Sequence, residues 1–264
     1  MNGRIFSVVG SLFVLTVCSK GGQNNVQAAP PAANPVPPSS DQPAAATPSA
    51  VGGTISGKIK FTGIAPKNPT IDMSDEAVCK AKYKTTPTEE NVVAGPANAL
   101  ANVFVYVKSG VPAGYTAPPP GAAPVIDQDG CRYHPHVFGM RVGQTLQIKN
   151  SDGILHNIKA MGKANRPFNV SEPTTMTMAA PRPFTAPEVI QLECNVHGWM
   201  TAYVGVRPDP FYAVSTPDGS FSISGLPPGT YTIEAWHEKF GTQTATVTVA
   251  GTETKTQNFT FAAH

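Results

Sequence analysis

In TISGKIKFTG, Ile55, Gly57, Ile59 and Phe61 point one way and Ser56, Lys58, Lys60 and Thr62 the other. This two-residue period is that of a half-buried β-strand, and it recurs. In NVFVYVK, Val103, Val105 and Val107 share one face. From Phe211 to Val249 the chain reads as strand, Pro-Asp-Gly turn, strand, Pro-Pro-Gly turn and two more strands,. No stretch sustains a helical period. With 24 Gly and 27 Pro among 264 residues to break the runs, the pattern predicts an all-β protein. The length admits one large or two small domains.

The charge excludes one class of function. There are 19 Lys+Arg against 17 Asp+Glu, a formal +2, and no basic block, whereas a nucleic-acid ligand demands concentrated Lys and Arg. Residues 1–18 read as a targeting segment. Arg4 precedes an apolar run from Ile5 to Val17, too short to span a bilayer and suited to the hydrophobic region of a secretory signal. Two endings are open. LTVC (Leu15–Cys18) resembles the lipobox of bacterial lipoproteins, with Cys18 as the acylated residue, although Val17 stands where a small residue is usual. The other ending is cleavage after Ala28 in VQAAP. Either predicts export, to the periplasm or as an outer-membrane-tethered lipoprotein of a bacterium whose contact with the membrane is its lipid. Residues 19–52, dominated by Ala, Pro, Gly, Ser, Asn and Gln, cannot bury a core and are expected to form a disordered tether.

The chemistry concentrates in VIQLECNVHGWMTAYVGV, where Cys194, His197 and Met200 follow a C-x2-H-x2-M spacing between two strand-like runs. A core role explains the Met and the Cys but not the trio. A loop of this kind needs a further ligand from elsewhere. VGQTLQIKNSDGILHNIKA offers His156, after an alternating strand and the polar turn Asn150-Ser151-Asp152. Two imidazoles and a thiolate with a weak axial thioether are the donor set of an electron-transfer copper site.

The run from Val142 to Asn157 together with the C-x2-H-x2-M loop resembles the cupredoxins, the small blue copper proteins with a Greek-key β-sandwich, and the short loop resembles that of amicyanin. The resemblance implies one type 1 copper with His156, Cys194 and His197 as equatorial ligands and Met200 as the axial one. It implies that Asn157 braces the ligand loop and that the edge of His197 reaches the surface as the electron port. Gly198 and Trp199 would then belong to an apolar docking patch. A second segment resembles the carboxypeptidase regulatory-like domain, a small transthyretin-type β-sandwich. Thr216-Pro-Asp-Gly219, Phe221 and Gly225-Leu-Pro-Pro-Gly-Thr-Tyr231 carry this likeness. The opening strands of that family have counterparts far upstream, in GTISGKIKF and ANVFVYVK. The expected plan is therefore residues 53–109 and 211–264 as one sandwich with a cupredoxin domain, residues 110–210, inserted between them. Two domains in series is the alternative.

If Cys18 carries lipid and Cys194 a metal, Cys79 and Cys131 remain, and in an exported chain they are expected to pair. The competing reading is a second metal site from Cys131, His134 and His136. His237 and Glu238, beside Trp236, read as a strand end with solvated charges; the rival is a contribution to the metal patch or to a partner site.

Three functions are open: an electron carrier serving redox proteins such as a cytochrome or a dehydrogenase; a copper enzyme; and a copper-holding, copper-delivering or cell-surface binding module. An oxidase or nitrite-reductase-like enzyme needs further copper, and 6 histidines with a single H-x-H (His134, His136) do not furnish it unless a subunit interface supplies more. The expectation is a carrier, not an enzyme.

Overall fold

The computed structural model describes residues 52–263; the targeting segment, Cys18 and residues 19–51 of the expected tether lie outside them. The described chain is all-β. In order it runs β1 (Gly53–Thr62), a short α-helix α1 (Ala77–Ala81), a one-turn 3-10 helix (Pro96–Asn98), β2 (Phe104–Ser109), β3 (Val125–Gln128), β4 (Tyr133–His134), β5 (Val137–Arg141), β6 (Gln147–Asn150), β7 (His156–Ala160), β8 (Phe168–Glu172) and β9 (Met176–Ala179). There follow β10 (Glu188–Glu193), β11 (Thr201–Arg207), β12 (Tyr212–Val214), β13 (Ser220–Leu226), β14 (Gly229–His237), β15 (Gly241–Val249), β16 (Thr254–Thr256) and β17 (Phe259–Ala262).

The pairing sorts these strands into two sandwiches. In the first, β1 lies antiparallel to β13 and parallel to β16 and then β17, while a second sheet runs β12-β2-β14-β15. Strands β2 and β12 are direct neighbours, with Tyr106 opposite Tyr212. Between them in sequence come β3–β11, which form their own two sheets, β5-β11-β10-β7-β8 and β4-β3-β6-β9. Each sandwich has its own core. Ile55, Ile59 and Phe61 of β1 meet Ile223, Tyr231, Ile233 and Phe259 in one. Ile126, Ile148, Ile158, Ile190, Leu192 and Val204 fill the other.

Strand β2 is buried on both faces. Val105 and Val107 point into the first core as their alternation predicts. Phe104 and Tyr106, on the opposite face, pack with Val137 and are flanked by Tyr203, Tyr212 and Trp236. The close approach uses missing side chains: a Cβ on Gly139 or Gly205 would fall 2.2–3.0 Å from atoms of Phe104 or Tyr212.

The long connection between β1 and β2 does not stay with its own sandwich. Ile71, Met73 and Cys79 enter the core of the β3–β11 sandwich. A disulfide joins Cys79 to Cys131 and ties this segment, including α1, over one end of that sandwich. With Cys131 so engaged, the Cys131–His134–His136 metal site does not form. His134 is exposed, its ring against the Asp129 carbonyl, and His136 is buried between the Thr201 carbonyl and the Glu238 carboxylate. The expectation of solvated charge at His237 and Glu238 is likewise corrected. Glu238 is buried because it crosses to His136 of the other sandwich, and His237 stacks on Phe240 at 1% exposure.

Candidate metal centre

Strands β10 and β11 pair in register from Glu188↔Val206 to Glu193↔Thr201, so residues 194–200 are forced into a tight loop at their end. Two main-chain bonds close it: Met200 N–H donates to the His197 carbonyl (2.9 Å) and Cys194 N–H to the Met200 carbonyl (3.2 Å). His156 arrives from β7, which pairs with β10 through Leu192↔Ala160 and Glu193↔Lys159. The turn before it is shaped by Asn150. Its side chain accepts from Asp152 N–H (2.9 Å) and donates to the Ile154 and Glu172 carbonyls (2.7 and 2.9 Å). Gly153 supplies the positive φ of 73° that the turn requires,.

These elements bring His156, Cys194 and His197 together, with their donor atoms within 4.8 Å of one another and all three buried. The two Nδ1 atoms lie 2.9 Å apart, and Cys194 Sγ is 3.9 Å from His197 Nδ1. Donors that each reach an ion at about 2.0–2.3 Å stand roughly 3–4 Å from one another, so the trio has the spacing of a coordination set. Met200, the fourth residue expected from sequence, sits in the same loop at 1% exposure. Asn157 spans to the loop: its Oδ1 accepts from Asn195 N–H (2.7 Å) and lies 3.3 Å from Cys194 Sγ, and its Nδ2 donates to Asn169 Oδ1 (2.7 Å).

The electrostatics favour a thiolate. Burial alone would raise the Cys194 thiol, but hydrogen bonds from His156 and His197 outweigh it and pull it down to about 5. Burial opposes the charged form of His156 too, and the Asp152 carboxylate and Cys194 overcome it, lifting the imidazole to about 9. The thiolate is the form of Cys194 that binds a soft cation.

One expectation fails. His197 does not present its edge to solvent: it is 1% exposed. Its Nε2 faces Cys79 Sγ at 3.8 Å and the Glu76 carboxylate at 3.7 Å. Trp199, expected in a docking patch, is half-buried; its ring centroid is 5.2 Å from that of His197, and its Nε1–H donates to the Cys131 carbonyl at 2.9 Å. The disulfide-tied segment lies where the port was expected. Sequence reasoning missed the whole cover, since nothing in SDEAVCKAKY points to residue 197. It also missed Asp152, whose one visible signal is a carboxylate four residues ahead of a candidate ligand histidine.

Residues 202–262 match the model of the carboxypeptidase regulatory-like domain, a span that takes in most of β11 and the strands β12–β17 of the first sandwich. A comparison with curated proteins finds no significant match. The similar solved structures include cupredoxins. A purple cupredoxin from Nitrosopumilus maritimus is 22% identical, with 31% of this chain and 98% of that one covered, at a TM-score of 0.27. An oxidised amicyanin variant is 19% identical over 39% of this chain and 98% of that one, at 0.29. A copper-containing nitrite reductase from Thermus scotoductus SA-01 is 20% identical over 37% of this chain, at 0.30. This chain spans a quarter of that enzyme's length.

Proposed function

We propose that this chain is a mononuclear copper protein that carries electrons, with His156, Cys194 and His197 as principal ligands and Met200 completing the set. Copper held by two imidazoles and a thiolate cycles between Cu(I) and Cu(II), the thiolate suiting the former and the imidazoles both. The observation that carries the reading is the convergence of both Nδ1 atoms on a buried, thiolate-biased Cys194. The surrounding residues do the rest. Strands β7, β10 and β11 hold the donors rigidly, and Asn157 fixes the loop to β7. All four residues are buried, at 0–4% exposure, which favours a carrier over a catalyst with an open coordination position. The disulfide supports an oxidising compartment, in keeping with export and, through Cys18, with a lipid tether. Partners would be redox proteins such as a cytochrome or a dehydrogenase.

The covering of His197 favours a second reading, copper holding or delivery, because it lengthens the path to any partner. Voltammetry of the copper-bound full chain separates the two. Fast, reversible one-electron exchange with slow metal loss to a chelator supports the carrier. Sluggish exchange with ready release of Cu(I) supports the holder.

A further inference from the structure

The side chain of Asp152 is completely buried and joins the metal centre to its cover. Each of its oxygens is claimed twice. Oδ1 accepts from Gly130 N–H (2.7 Å) and from Lys82 Nζ (2.6 Å); Oδ2 accepts from Cys131 N–H (2.7 Å) and faces His156 Nε2 at 2.8 Å. Gly130 and Cys131 both adopt positive φ, 64° and 55°, and the successive N–H groups of such a turn form a small cradle for an anion. Three of the four neighbours are donors without an acceptor function. A carboxylate crowded this way has no proton of its own to give, so the hydrogen bond to His156 requires the proton to sit on Nε2.

Resting on the copper reading above, we propose that Asp152 is the positioning residue of this centre. It keeps the proton of His156 on Nε2, leaves Nδ1 as the ligating atom, and orients the ring toward Cys194 and His197. Through Cys131 and Lys82 the same carboxylate ties ligand orientation to the cover: Lys82 directly follows α1, and Cys131 anchors Cys79. Asparagine is a poor substitute, because its amide would turn two N–H donors toward two others whichever way it is placed.

The charge gives a test with a sign. Asp152→Asn removes a buried negative charge beside the site, which favours the less positive Cu(I) state and moves the midpoint potential upward. Lys82→Met removes the compensating cation and moves it downward. Asp152→Asn is also expected to lose about 10–100-fold in Cu(II) affinity and to alter the copper hyperfine splitting. In the metal-free full chain, the Nε2–H resonance of His156 is expected to exchange slowly, and to be lost in Asp152→Asn. Thermal melting and disulfide content report whether each variant folds. If Asp152→Asn does not fold, Lys82→Met alone decides. Shifts of opposite sign establish the role. A folded Asp152→Asn chain with unchanged affinity and potential, an unmoved Lys82→Met potential, or a wild-type His156 lacking the Nε2 proton overturns it. Failure of the wild type to bind copper, with the slow Nε2–H present, refutes the copper reading and leaves the placement of the proton standing.

Discussion

Removing the disulfide tests whether the segment around α1 is a structural cover or an incidental neighbour. Cys79→Ala/Cys131→Ala breaks the cross-link without burying an unpaired hydroxyl at two positions that are 0% exposed. The bond closes a separation of 52 residues, for which the chain-entropy relation gives a loss of roughly 4 kcal/mol. For a folded region of this size that corresponds to a fall in Tm of about 8–16 °C. The loss should be local as well as global. The helix is only five residues long, too short to persist alone, and Ile71 and Met73 remain as its neighbouring anchors in the core. The segment should therefore loosen before the strands do, and His197 should become accessible. Differential scanning calorimetry reads the first effect, and carbethoxylation of His197 followed by mass spectrometry reads the second. A Tm within about 2 °C of wild type, with His197 still protected, would refute the reasoning.

Asn157→Ala should destabilise the chain by about 1–3 kcal/mol, because it leaves the Asn195 N–H without its acceptor,; urea unfolding measures it. Gly205→Ala places a methyl 2.2 Å from the Phe104 ring, which is wedged against Tyr106 and Tyr212. It should cost about 1–3 kcal/mol, read as a lowered urea midpoint. Burial, with smaller contributions from His136 and Lys239, pushes His237 down to about 4, so the unfolded chain binds the proton more readily than the folded one. Stability from this group is then complete above the ordinary histidine range near pH 6.5. It should be lost, by up to about 3 kcal/mol, as the pH falls toward 4. Urea midpoints across that window should fall less steeply in His237→Gln.

The strands were legible because alternation records one buried face at a time. Ile55, Ile59 and Phe61 entered the core that their spacing indicates, and Cys194-x2-His197 sits on a loop between strands because β-runs flank it. What the alternation could not carry is a second covered face. Phe104 and Tyr106 read as the outer side of β2, and they are buried because β5 and β11 lie on them through two glycines. The same limit explains Glu238, whose partner His136 is 102 residues away, and His197, whose cover is 118 residues away. Contacts at such separations leave no local period. Asp152 is a different case: it lies four residues from His156, but an Asp in a polar turn looks the same whether it caps backbone N–H groups or also grips a ligand imidazole.

The most direct test of the metal centre is the visible and electron paramagnetic resonance spectrum of the full chain with Cu(II), beside Cys194→Ser. An intense blue or purple thiolate-to-copper band at one copper per chain, with narrow hyperfine splitting and lost in the variant, is the predicted result. A pale adduct with wide splitting, unchanged by Cys194→Ser, would contradict the assignment of His156, Cys194 and His197 as a copper site.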